Sequence, residues 1–270
     1  MILRGDQRTW SGSQGRHVAR PGAHAFLARL CLWVALFALA APPALRAQGT
    51  APVRVLVVTG GHFHDPSFYS LFDRQQGFVA TVDPHPAAYE RDLQRRYDVL
   101  VLYDLVQELP EKQRTNLRNF VEAGKGVVVL HHAIADFNDW PWWHDEVLGG
   151  YYLLKPQGDR PASTYKVGVE LEARPATEHP VTEDVQPFRI TDEVYKSIWI
   201  SPLSTVLVET KHPDADRALA WVSPYAKSRV VCMTLGHDER AHLNEAFRRV
   251  VKNAILWSAG AGVGNRTSKP

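Results

Sequence analysis

Runs of apolar side chains, and the spacing between them, divide this chain into alternating strands and helices. Residues 53–59 (VRVLVVT) form a β-branched run that ends at Gly60-Gly61. An unbroken apolar strand of this kind is buried on both faces, as in parallel sheets. Residues 67–76, opened by Pro66, predict a helix, and residues 77–82 a weaker strand. A helix over 86–95 and a strong strand over 97–103 (YDVLVLY) follow. Residues 110–123 predict a helix, with Pro110 at its start, Leu117, Phe120 and Val121 on one face, and Gly124 beyond its end. Residues 126–130 (GVVVL) give the third strong strand. Strand, helix and strand in repetition imply right-handed βαβ units. The predicted fold is α/β: a doubly wound, mostly parallel, flavodoxin-like sheet with helices on both faces.

Downstream the pattern loosens. Residues 137–148 hold Trp140, Trp142 and Trp143, and residues 164–173 (TYKVGVELEA) alternate like a strand with one wet face. Three more strands are predicted over 203–210, 218–222 and 229–235. A long terminal helix over 239–259 has Phe247, Val250, Val251 and Ala254 on its apolar face. No internal repeat or linker interrupts this region, so residues 48–270 read as a single domain.

The N-terminus changes the picture. Residues 30–41 (LCLWVALFALAA) are an unbroken apolar run behind Arg4, Arg8, Arg16, Arg20 and Arg29, and small residues follow Pro42-Pro43. That order reads as a secretory signal over 1–47, cleaved near Ala47, and places the protein outside the cytoplasm, secreted or periplasmic. The run is shorter than the ~20 residues of a membrane span, so no stable span is expected after cleavage, an uncleaved N-terminal anchor being the alternative. Removing 1–47 lowers Lys+Arg from 31 to 25 and Asp+Glu from 29 to 28, a net charge of −3. No basic stripe remains, which excludes nucleic acid as a partner. Of the 2 cysteines only Cys232 stays, so no internal disulfide can form. Oligomeric state is not legible.

Candidate chemistry lies just beyond the strands, because open parallel sheets bind ligands at their carboxyl ends. His62 and His64 follow the first strand, His131 and His132 the third, and His237 the last; these are five of the ten histidines left after residue 47. Each alone also reads as a loop residue; together they form a candidate site. His62, His132 and His237 are the catalytic candidates, because imidazole exchanges protons near neutral pH. His64 reads as structural, and His131 as structural or substrate-contacting. Gly61 permits close backbone approach to a ligand. Glu193 is a candidate for orienting or assisting an imidazole, and Asp192 and Asp238 for contacting substrate. The pair Asp192-Glu193 reads equally well as a solvated acidic turn. Trp140 and Trp142 could offer flat faces to a sugar, or pack in the core. A mixed histidine and carboxylate set could also hold a divalent metal, although no H-E-x-x-H motif is present. The Gly60–Asp65 loop lacks G-x-G-x-x-G spacing, which argues against a dinucleotide.

Gly60-Gly61-His62, Leu130-His131-His132-Ala133, Thr177-Glu178-His179-Pro180, Asp192-Glu193-x-Tyr195, Leu235-Gly236-His237-Asp238 and the terminal Asn253-Ala254-Ile255-Leu256-Trp257 occur in this order. The set resembles the ThuA-like (trehalose utilisation) family over about residues 53–259. The resemblance implies a fold akin to the class I glutamine amidotransferase domain, in which a cysteine nucleophile sits on a sharp turn after the central strand. Here that turn reads His131-His132-Ala133. Without a nucleophile beside a base, glutaminase chemistry is not expected. The family association implies a carbohydrate ligand such as trehalose or a keto-disaccharide. The leading expectation is a sugar-acting enzyme, an isomerase, lyase or hydrolase; the alternative is a non-catalytic carbohydrate-binding or accessory domain.

Overall fold

The computed structural model describes residues 51–260; the signal expected over 1–47 and the tail 261–270 lie outside them. Eleven strands form: β1 (Val53–Gly60), β2 (Phe78–Pro84), β3 (Val99–Asp104), β4 (Gly126–Leu130), β5 (Gly150–Tyr151), β6 (Thr164–Pro175), β7 (Phe188–Lys196), β8 (Trp199–Ile200), β9 (Thr205–Thr210), β10 (Ala218–Val222) and β11 (Val230–Met233). The helices are α1 (Leu93–Arg96), α2 (Glu111–Glu122), α3 (Glu239–His242) and α4 (Glu245–Ser258). Nine strands share one sheet in the order β2-β1-β3-β4-β11-β10-β9-β6-β7, and β5 pairs with β8 in a small second sheet.

The first five strands of that order are mutually parallel and follow the flavodoxin arrangement 2-1-3-4-5. From β11 onward every pairing is antiparallel, so the sheet is mixed, not parallel throughout. The three strong apolar runs become β1, β3 and β4, and every residue of β3 and β4 is buried. Period-two alternation splits their side chains between two apolar clusters. Val55, Val57, Val99 and Val101 pack with Phe247, Val250 and Ala254 of α4. Leu56, Val58, Leu100 and Leu102 pack with Leu117, Phe120 and Val121 of α2. Among the described residues no helix is long and apolar enough to cross a membrane.

Four expectations need correction. The helix expected over 67–76 is one short 3-10 segment, Pro66–Leu71. The helix expected over 86–95 breaks into a 3-10 turn, Ala87–Glu90, and the single-turn α1, because Arg91 is extended and the Asp92 side chain caps a new start. The terminal helix is likewise interrupted. Asn244 is extended, and its side-chain carbonyl accepts from the Ala246 and Phe247 N–H groups, so α4 begins anew there. Lastly, residues 188–196 are no acidic turn but the edge strand β7, paired to β6.

Beneath the carboxyl edge of β3, two acids are buried together. Asp104, the last residue of β3, and Asp136 are both fully inaccessible. The Tyr89 hydroxyl donates to Asp104 at 2.9 Å and the Val106 N–H to Asp136 at 2.7 Å. Burial, only partly offset by these hydrogen bonds, pushes Asp104 up to about 7. Burial and then the Asp104 charge hold Asp136 well above the usual carboxylate range. The pair therefore keeps a proton at neutral pH. A carboxyl with a raised folded pKa contributes stability that is complete at low pH and lost as pH rises through that value. Asp104→Asn supplies a permanent donor. Its melting temperature relative to wild type is expected to rise by several degrees between pH 5 and pH 9; a constant difference would show that the pair holds no extra proton.

Candidate functional site

The loops after β1, β4 and β11 and the antiparallel edge strand β7 supply the polar residues, and the fold decides which side chains meet. His131 sits immediately after β4 with φ +52°, the left-handed region that a non-glycine residue rarely adopts. Its ring is 1% exposed. Nδ1 lies 2.7 Å from the Thr234 carbonyl, which can only accept, so Nδ1 carries the proton and Nε2 keeps a lone pair. Around that Nε2 lie His237 Nδ1 at 3.1 Å, the Tyr195 hydroxyl at 3.1 Å and Glu193 Oε1 at 3.5 Å. Glu193 Oε2 is 3.6 Å from His237 Nδ1, and the Tyr195 ring stacks on His131 with centroids 5.0 Å apart. His131, read from sequence as structural or substrate-contacting, is thus the hub of the site.

Glu193 and Tyr195 reach this point because β7 alternates: residues two apart share a face. Burial alone would raise Glu193, but the His131 and His237 imidazoles and the Tyr195 hydroxyl outweigh it and hold the carboxyl below its ordinary value. Tyr195 was not among the candidates; reading 188–196 as a strand would have paired it with Glu193. Tyr152 also lies at this edge. Its ring is 5.1 Å from Tyr195, and burial followed by the Glu193 charge raises its hydroxyl.

Asp192 points to the opposite face and is fully buried. Oδ1 accepts the N–H groups of Glu193 at 2.8 Å and His237 at 2.9 Å, and Oδ2 accepts that of Gly236 at 2.7 Å. It is a positioning residue rather than the substrate contact expected: it ties the loop after β11 to β7. Burial raises its pKa against the opposing influence of His131 and these N–H donors.

His132 is 7% exposed and donates Nε2–H to the Tyr103 carbonyl at 3.1 Å, leaving Nδ1 as its lone pair. Burial first, and then neighbouring His131 and His62, push its pKa far down, so the ring stays neutral. His62 is exposed and leans on His132, with ring centroids 4.6 Å apart. It belongs to the rim, not the hub. Gly61 has φ +73°, and a Cβ there would lie 2.0 Å from the Leu105 carbonyl oxygen, so only glycine fits. That glycine serves backbone packing.

Other candidates are placed elsewhere. Asp238 caps α3 and is gripped by Arg240 at 2.5 Å. Trp140 is 7% exposed and packs on Phe137, with Arg114 and Arg118 over its ring. Arg118 also covers Trp142, 4.3 Å from the centroid, so neither indole is an open sugar platform. His64 bonds the Tyr69 hydroxyl at 2.9 Å. His242, which sequence passed over, is fully buried between Ser67 and the Gly236 carbonyl and braces the His237 loop. Cys232 is buried in β11, where desolvation pushes its thiol up and leaves it inert. Two surface grooves, of about 440 and 750 Å³, are lined by none of the site residues; they run along Glu172, Arg174 and Phe188, and along 175–186. In chemical terms, His131, Glu193 and His237 each offer one ligand atom within 4.8 Å of the others, a set that could hold a metal ion.

Removing the Asp192 carboxylate strands three buried N–H donors, each costing roughly 1–3 kcal/mol. Asp192→Ala is therefore expected to lose about 3 kcal/mol or more in denaturant unfolding. A loss within ~0.5 kcal/mol would show that the loop does not depend on this carboxylate.

Comparison with known proteins agrees with the architecture. A ThuA-like protein from Parabacteroides merdae superposes with a TM-score of 0.70 at 18% identity, covering 81% of this chain and 93% of that one. One from Bacteroides uniformis gives 0.60 at 19% identity, covering 77% and 92%. A cytoplasmic protein of Salmonella typhimurium LT2 gives 0.57 at 14% identity, covering 76% and 99%. At these identities the likeness establishes the fold alone. No match to a protein of curated description was found. The ThuA family profile, described as trehalose utilisation, matches residues 53–258, and the chain belongs to that family.

Proposed function

We propose that this protein is an enzyme acting on a sugar or keto-disaccharide of the trehalose type, through an imidazole–carboxylate acid–base centre. The observation that carries the reading is the packing of His131, His237, Glu193 and Tyr195 within 3.1–3.6 Å at the carboxyl edge of the sheet. Family membership supports the sugar. With His131 Nε2 fixed as an acceptor, the His237 Nδ1–H points inward, and the half-buried ring turns Nε2 outward as a proton acceptor. Glu193 steadies the imidazolium that results. His132, held neutral, offers a second lone pair next to it. Such a centre suits proton removal beside a sugar carbonyl, the first step of isomerisation or of glycoside elimination; a divalent ion on the same groups would take the His237 Nδ1 lone pair and would assist instead by polarising that carbonyl.

The test is incubation with trehalose and a 3-keto-disaccharide, followed by NMR of the products. Turnover is expected to fall 10²–10⁴-fold in His237→Ala and Glu193→Gln. Unchanged turnover in both would overturn the assignment, and saturable binding with no product would favour the accessory domain. Export belongs to the same proposal: residues 1–47 act as a cleaved secretory signal, and residues 48–270 as one domain. N-terminal sequencing of the exported protein is expected to begin near Gln48. A chain starting within 1–20 would refute cleavage.

A further inference from the structure

We propose that His131, His237 and Glu193 form a binding site for a single divalent transition-metal ion. The proposal deepens the acid–base reading of these residues, but it stands on their geometry and not on the sugar. His131 Nδ1–H is committed to the Thr234 carbonyl, so Nε2 has one lone pair to offer. Three polar atoms crowd that lone pair: His237 Nδ1, the Tyr195 hydroxyl and Glu193 Oε1. One lone pair cannot serve all three. A cation among them uses the lone pairs of both imidazoles and the carboxylate together, and leaves the tyrosine hydroxyl free to donate to the carboxylate.

The separations agree. Ligands held about 2.0–2.2 Å from one ion, in tetrahedral or octahedral geometry, stand about 2.9–3.6 Å apart. Here the gaps are 3.1 Å between the imidazole nitrogens, 3.5 Å from His131 Nε2 to Glu193 Oε1 and 3.6 Å from His237 Nδ1 to Glu193 Oε2, so the carboxylate presents a different oxygen to each ring.

The surroundings are those of a ligand set held in advance. A ligating imidazole ordinarily donates its other N–H to a carbonyl, as His131 does to Thr234. The buried Asp192 accepts the backbone N–H of two of the three residues, Glu193 and His237, and so fixes their spacing. His131 is itself held in a left-handed backbone conformation, a strain that persists only where surroundings impose it. Two imidazoles and one carboxylate favour zinc, manganese, iron or cobalt over magnesium or calcium, which prefer all-oxygen sets. Three protein ligands leave a coordination position open, as at catalytic zinc centres. An ion there would polarise a carbonyl or bound water.

The experiment uses the full mature chain, stripped with chelator and then titrated with Zn²⁺ by calorimetry and with Co²⁺ by visible absorption. One ion per chain is expected, with cobalt d–d bands of a nitrogen–oxygen site. Glu193→Gln, which keeps the shape of the side chain, and His237→Ala, in a partly exposed loop, are expected to bind roughly 100-fold more weakly or worse. Circular dichroism shows whether each variant is folded. His212→Ala, a half-buried histidine of the loop between β9 and β10 that is not one of the three ligands, controls for adventitious binding and is expected to bind as wild type does. No ion bound above the background shared with the variants, or unchanged affinity in both folded variants, overturns the proposal. Stoichiometric binding without sugar turnover leaves this site standing and defeats the enzymatic reading; sugar turnover by a protein that binds no ion above background defeats the site and leaves the enzymatic reading.

Discussion

The site depends on one buried carboxylate. Asp192 lies in the interior and accepts three backbone N–H groups, from its own neighbour Glu193 and from Gly236 and His237, some 45 residues away in sequence. Through this one side chain the backbone of the loop is tied to β7. It sets the height of the loop after β11 against the edge strand β7, and so sets the distance between the His237 ring and the Glu193 carboxylate. Gly236 makes the turn possible with φ +121°, and His242 supports it from beneath through the Gly236 carbonyl. Because β7 alternates, the residue that fastens the loop faces the core while Glu193 and Tyr195 face the histidines.

Electrostatics divides the buried polar groups into two kinds. Asp104 and Asp136 are shut away from any cation, and burial makes them hold a proton. Glu193 is nearly as inaccessible, yet its imidazole and tyrosine neighbours hold it ionised. The same principle separates the histidines. His132 is buried and lies beside two other rings, which keeps it neutral against the pull of the Tyr103 carbonyl. His131 is fixed in one tautomer by the Thr234 carbonyl, so its inward nitrogen is committed to the cluster.

The turn after β4 links this chemistry to the fold. In the amidotransferase-like architecture that the sequence resembles, this position bears a nucleophile. Here the left-handed residue is His131. The sharp turn survives with an imidazole at its apex, and the carbonyl and carboxylate around it are placed to orient a ring. On the reading proposed above, the central turn of this ThuA family member does the work of a base or a ligand.

Local sequence alone determined the parallel half of the sheet. Its inner strands β1, β3 and β4 are apolar on both faces, a pattern that needs no partner to be read, and they lie where the runs of valine and leucine place them. It also located the strand ends, and hence the loops that contain His62, His132 and His237. Only the tertiary structure decided which residues meet. His131 became the hub and His62 the rim because a left-handed backbone turns one ring inward, and no spacing rule reports that angle. Trp140 and Trp142 were lost to the α2 side because the arginines that cover them come from a distant helix. Asp192 and Glu193 took opposite roles because strand pairing with β6, a long-range interaction, turned what read as an acidic turn into β7. Apolar burial is written in the side chains themselves; the meeting of polar groups depends on backbone geometry between distant segments, which a single chain of letters does not record.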